Sequence, residues 1–145
     1  MRSLLLVACS RRKRRTRKLL PAIERYDGGA YRVIRKAQRE GSIRRKVDIK
    51  IISAKFGLID GMTAIPFYEQ RMTKRRARDL KPRIQRALRM WMSLKNYSEV
   101  YVDLGHDYVV AIEGWTVHPG ITLLAGSGRI GERLRDLKRW LANSG

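Results

Sequence analysis

Leu4-Leu5-Leu6-Val7-Ala8-Cys9-Ser10 decides the fold class. An unbroken apolar run of this length, closed by small polar residues, reads as a strand buried on both faces, the kind a parallel sheet requires. Val47 to Ala54, which alternates and then turns fully apolar at Ile51-Ile52, reads as a second strand, Val100 to Leu104 as a third and Ile121 to Ala125 as a fourth. Helical periods separate them. Pro21 suits the first turn of a short helix ending near Arg25, and Asp27-Gly28-Gly29 breaks it. Ala30, Ile34 and Ala37 recur at helical spacing up to Gly41. Thr73 can cap a long helix with Ala77, Leu80, Ile84, Leu88 and Trp91 on one stripe, and Pro82 should kink or restart it. Ile130, Leu134, Leu137 and Leu141 define a last amphipathic helix. Strands alternating with helices predict an α/β fold with a mostly parallel sheet of about four strands, covered on both faces. The glycines Gly57 and Gly61 read as loop.

Composition narrows the class. The chain has 145 residues, one domain by length, and 43% are hydrophobic, enough for a real core. It carries 33 Lys and Arg against 13 Asp and Glu, a formal charge of +20. Residues 1–50 contribute +13, residues 51–100 contribute +7, and residues 101–145 are neutral. Arg outnumbers Lys 23 to 10, and arginine contacts phosphates through two parallel bonds and stacks on bases. A polyanion is the expected partner, DNA or RNA. A single cysteine and two histidines, His106 and His118, predict no disulfide framework, no metal site and no cofactor. No apolar run is long enough to span a membrane, so a cytoplasmic protein is expected. A charge this large opposes self-association, and the oligomeric state is left open.

Ligands of parallel α/β folds bind at the carboxyl ends of the strands. The first strand ends at Cys9-Ser10 and runs into Arg11, Arg12, Lys13, Arg14 and Arg15, part of a seven-cation stretch up to Lys18. Like charges repel along a helix, so this stretch reads as a mobile basic loop that contacts nucleic acid. Cys9 is either a packing residue or a thiol activated by the charge beside it. The second strand ends at Ser53-Ala54-Lys55-Phe56-Gly57, which places Lys55 to hold a phosphate or act as an amine nucleophile. Phe56 and Tyr68 are rings on which a base could stack, unless they pack in the core. The third strand ends at Asp103-Leu104-Gly105-His106, with Tyr108 next. Asp103 is the candidate general base or stabiliser of a sugar cation, or else a structural acid bonding its own loop.

The fourth strand ends at Gly126-Ser127-Gly128-Arg129. Its G-x-G-x-x-G spacing lacks the acidic residue that a dinucleotide site needs about 20 positions on, because the chain ends first. The turn still offers helix-terminal amides to a phosphate. Arg75, Arg76 and Arg78 on the long helix add phosphate contacts. Tyr26 with Asp27 and Gly28 makes a turn bearing a ring and an acid.

These pieces, in this order, resemble the YaaA superfamily, and more closely the small domains of that type with a Cys-Ser-x-x-Lys start and a Ser-Ala-Lys-Tyr-Gly-Leu signature. Here the start is Cys9-Ser10-Arg11-Arg12-Lys13, and Tyr26-Asp27-Gly28 supplies a Tyr-x-Gly. The signature reads Ser53-Ala54-Lys55-Phe56-Gly57-Leu58, with Phe56 in place of the usual tyrosine. Pro66-Phe67-Tyr68 supplies a Pro-x-Tyr, and Gly105 to Tyr108 a Gly-x-x-Tyr. The resemblance implies a Rossmann-like three-layer core associated with nucleic acid, similar to archaeosine-synthesis domains and to uracil-DNA-glycosylase-like folds. The expected function is then an enzyme acting on a base in DNA or RNA, at its glycosidic bond or as a modified base. The alternative is a basic protein that binds nucleic acid without chemistry.

Overall fold

The first strand, β1 (Arg2–Ala8), lies at the centre of a five-stranded sheet, and Leu4, Leu5, Leu6 and Val7 are fully buried. The computed structural model describes residues 2–43 and 45–143. A short strand β2 (Leu20–Pro21) and a one-turn helix α1 (Ala22–Arg25) precede α2 (Gly29–Arg39). Then come β3 (Lys46–Ser53), β4 (Gly57–Asp60), β5 (Ala64–Ile65) and the long helix α3 (Lys74–Leu94). The chain continues through β6 (Tyr97–Asp103), a turn of helix α4 (His106–Val109), a 3-10 turn at Val110–Ile112, β7 (Thr122–Ala125) and α5 (Ile130–Ala142).

The sheet order is β4-β3-β1-β6-β7. The strands β3, β1, β6 and β7 are parallel, and β4 closes one edge antiparallel to β3. On one face α2 packs against α5; α3 packs with α4 and the 3-10 turn. This is the Rossmann-like three-layer α/β architecture that the alternation of strands and helices predicts. One contiguous core joins the layers through Ile34 and Ala37 of α2, Leu80, Ile84 and Leu88 of α3, and Leu137 and Leu141 of α5.

Three expectations need correction. The segment after β3 is not loop: Gly57 to Asp60 turns back as β4, pairing Ser53 with Gly57 and Ile51 with Ile59. Gly57 takes φ of +77°, a backbone that only glycine adopts without strain, and the Arg83 guanidinium lies where a side chain would go. Pro82 does not restart α3, which runs through it as one helix. The stretch from 11 to 18 is not a loose loop. Lys13 bridges Tyr26, the amide of Arg14 donates to Arg25, and the amide of Asp27 donates to Arg12. Beneath it Arg25 is fully buried. Its guanidinium donates to the carbonyls of Arg14 (2.6 Å), Thr16 (3.1 Å), Lys18 (2.5 Å) and Ile65 (3.3 Å). A buried guanidinium with no carboxylate partner among the described residues is tolerated here because the loop surrounds it with carbonyls.

Candidate functional site

The chain passes from β1 to β3 on one side, then crosses back to β6 and β7 on the other. The direction of strand order therefore reverses between β1 and β6, which is where open α/β sheets form their crevice. Cys9 leaves β1 at that point and Tyr108 stands on α4, just after β6. The Cys9 Sγ lies 3.0 Å from the Tyr108 hydroxyl, which also donates to the Cys9 carbonyl at 3.2 Å. The Cys9 amide donates to Ile52 of β3, and its sulfur accepts from the Ala54 amide at 3.4 Å. One residue thus ties the ends of β1 and β3 to the helix that follows β6.

Ser10 turns the chain out of the sheet. Its hydroxyl donates to the Arg12 carbonyl (2.6 Å) and accepts from the Gly28 amide (3.2 Å). A side chain on Gly28 would meet the Ser10 Cβ at 2.8 Å, so glycine is what lets the two segments touch. Asp27, between Tyr26 and Gly28, pairs with Arg35 at 2.5 Å, Arg32 at 3.3 Å and Arg12 at 3.7 Å. The Arg32 guanidinium, and then Arg35, hold its carboxyl below the usual range.

At the end of β3 three hydroxyls form a closed triangle. Tyr26 and Tyr68 are 2.6 Å apart, Tyr26 and Ser53 are 3.2 Å apart, and Ser53 and Tyr68 are 3.0 Å apart. The Ser53 hydroxyl also accepts from the amides of Lys55 and Phe56, shaping the turn into β4. Phe56 packs edge-on against Tyr68, with ring centroids 5.2 Å apart. Burial raises the pKa of Tyr26 to about 12 and pushes Tyr68 and Tyr108 up as well, with the neighbouring Cys9 acting in the same direction.

Above this lies a groove of about 720 Å³. Its floor is Cys9, Ser10, Met72 and Tyr108; its cations are Arg11, Lys13, Arg15 and Arg71; its acids are Glu69 and Asp107. Lys13 belongs to both parts of the site: it lines the groove, and its ammonium stands 4.7 Å from the Tyr68 ring centroid. Arg15 pairs with Glu69 at 3.5 Å and covers the Phe67 ring.

Cys9, Ser10, Lys13, Tyr26, Ser53, Phe56, Tyr68 and Tyr108 are therefore brought together, from five separate segments. Other sequence candidates lie elsewhere. Asp103 is buried and both its hydrogen bonds come from Arg133 of α5, at 3.1 and 2.9 Å, so its carboxylate joins β6 to α5 rather than facing the groove. The carboxylates in the groove are Glu69, which is paired with Arg15, and Asp107, four residues beyond Asp103. Gly105 caps α4, and His106 is exposed on its first turn. Lys55 is exposed outside the groove, 5.6 Å from the Tyr68 ring. The turn at Gly126, Ser127, Gly128 and Arg129 is already supplied with a carboxylate: Glu132 accepts from the Arg129 amide and lies against Gly128. That acid opposes the phosphate expected there. Arg12 and Arg14 are exposed beside the groove, and Arg75 and Arg78 are exposed on α3. Arg76 instead braces the end of β3, donating to the carbonyls of Ala54 and Lys55.

Sequence reasoning missed Asp107, Arg71 and Arg25. Asp107 could have been found from its place inside the Gly105–Tyr108 turn; Arg25 had no signal among so many arginines. Among the described residues no group of three or more His, Cys, Asp or Glu is gathered as metal ligands, and no helix is long and apolar enough to cross a membrane.

No family model and no curated protein matches this sequence. A solved structure, that of AF0587, a protein of unknown function, is similar over 99% of this chain and 45% of its own, with a TM-score of 0.59 and 13% identity. This chain spans under half the length of that protein, and at such identity what the two share is the α/β fold.

Proposed function

We propose that this protein binds nucleic acid and acts on a base that enters the groove between β1 and β6. The observation that supports this best is the meeting of five separated motifs at one switch-point site, where Cys9, Ser10, Lys13 and Tyr108 line a groove with a basic rim. Arg11, Arg12, Arg14 and Arg15, with Arg71 and the exposed Arg75 and Arg78 of α3, contact the phosphates. The base leaves its stack and lies over Cys9, Ser10 and Tyr108. Asp107 takes the role expected of Asp103: it orients a water or stabilises positive charge developing on the sugar as the glycosidic bond breaks. The hydroxyl triangle of Tyr26, Ser53 and Tyr68 fixes the wall on which Lys13 rests. Phe56 lacks the hydroxyl of the signature tyrosine but keeps the ring that packs on Tyr68, so packing is the part of that position this chain retains.

The test is mass spectrometry of DNA and RNA oligonucleotides, single- and double-stranded, carrying uracil, deaminated, oxidised or hypermodified bases. The expected result is loss of one base from one substrate class, slowed about 100-fold or more in Asp107→Asn with binding unchanged. Tight, salt-sensitive binding with no mass change on any substrate would leave a nucleic-acid-binding protein without this chemistry.

A further inference from the structure

Seven cations lie between positions 11 and 18, and Lys13 differs from the other six. They are exposed; Lys13 is half-buried. Its backbone is held by the bridge to Tyr26 and by the flanking bonds from Asp27 to Arg12 and from Arg14 to Arg25. Its ammonium lies 4.7 Å from the Tyr68 ring centroid and 6.0 Å from that of Tyr26. It forms no ion pair among the described residues, and its hydrogen bond is a long one, 3.4 Å, to the Arg11 carbonyl. Burial lowers its pKa, against the opposing pull of Cys9 and Glu69. A cation kept only for phosphate contact needs none of this, and the exposed arginines beside it serve that purpose better. A partly desolvated amine on a tethered backbone, lining a groove that also holds Asp107 and Tyr108, has the environment of an amine nucleophile.

We propose that Lys13 is such a nucleophile and that the groove accepts the aldehyde form of an abasic sugar in a nucleic acid strand. The proposal rests on the base-handling reading and adds a second step to it. The neutral Lys13 amine adds to C1′ of the open sugar. Loss of water from that adduct, with one proton taken up from solvent, leaves a protonated imine between Nζ and C1′. The imine acidifies the C2′ hydrogen, which Asp107 removes as a proton. The electron pair left on C2′ forms the C2′–C3′ double bond and expels the 3′ oxygen with its phosphate, breaking the strand. Water then hydrolyses the imine and returns the amine. No oxidant, reductant, metal or cofactor enters the balance.

The test uses the full chain and oligonucleotides, one DNA and one RNA, each holding a single abasic site, with sodium borohydride added to reduce any imine to a stable amine. Peptide mapping by mass spectrometry is expected to place the adduct on Lys13. Lys13→Arg keeps the charge and should slow trapping about 20-fold or more, with affinity by fluorescence anisotropy within about twofold. Lys18→Arg and Lys55→Arg should change trapping less than about twofold. An adduct spread over several lysines, or undiminished in Lys13→Arg, overturns the proposal. Base release from an intact strand with no Lys13 adduct overturns the amine step and leaves the base-handling reading standing. A Lys13 adduct without base release from any strand does the reverse.

Discussion

At the carboxyl ends of β1 and β3, Cys9, Ser53 and Ala54 are buried and each takes part in a hydrogen bond across segments. At the far edge of the same sheet all four residues of β7 are exposed, Leu123 and Leu124 among them. The charge divides in the same way: residues 1–100 carry the whole excess of +20 and residues 101–145 are neutral. Residues 1–100, which bear the excess cations, also supply most of the cross-linked strand ends beside the groove. Nothing in a generic basic coat requires this, because exposed cations work through long-range fields and counterion release. Fixed geometry around a groove is what selective recognition or chemistry requires.

The largest effect expected on this contrast comes from Arg25. Arg25→Met removes the donor shared by four loop and strand carbonyls and should destabilise the fold by roughly 3 kcal/mol. Denaturant melts measure that loss. Limited trypsin digestion should then cut first after Arg14, Arg15, Arg17 or Lys18, as the strap comes free. A variant with unchanged stability and an uncut 11–18 segment would show that the buried guanidinium is not what holds the strap.

High pH tests the tyrosines next. All six, Tyr26, Tyr31, Tyr68, Tyr97, Tyr101 and Tyr108, have pKa values raised above the ordinary 10.0, chiefly by burial. The folded chain therefore holds these protons more tightly than the unfolded chain. This contribution is complete below pH 10 and is lost as pH rises through the folded values, about 12 for Tyr26 and Tyr101. Tyr26 alone then accounts for roughly 2–3 kcal/mol across that window. Tyrosinate absorbance should stay absent at pH 10 in the native protein and appear together with unfolding above it. A phenol titrating near pH 10 in a chain that remains folded would sink this account.

How far these features can be read in advance differs between the two regions for physical reasons. Apolar runs marked β1, β3, β6 and β7, and the Thr73 cap marked α3, because burial and capping leave signals within a few residues. The hairpin β3–β4 was hidden because Gly57 and Gly61 look like loop residues, although the first is the left-handed turn residue that makes β4 possible. Asp103 was misplaced because the end of β6 is buried on both faces, from Val100 to Asp103. Such a strand shows no alternation, and without alternation its sequence does not say which face a side chain takes. The convergence of Cys9, Tyr26, Ser53, Tyr68 and Tyr108 depended on contacts across as many as 99 positions, between Cys9 and Tyr108. Only motif order hinted at it.

The smallest expected effect gives the sharpest form of the contrast. Val100 on β6 and Leu123 on β7 are register partners on adjacent strands. Val100 is fully buried, whereas Leu123 is 49% exposed. Val100→Ala removes two buried carbons and leaves a cavity, which should cost about 2 kcal/mol. Leu123→Ala removes more atoms yet should cost less than about 0.5 kcal/mol, because water already reaches the side chain. Urea melts of both variants at two protein concentrations make the comparison. A Leu123 cost above that of Val100, with a midpoint that shifts with concentration, would mean that β7 is covered in solution by another copy of the chain. The same cost with no concentration dependence would mean that the edge is packed within the chain, and the division between a fixed side and a peripheral side of this sheet would then fail.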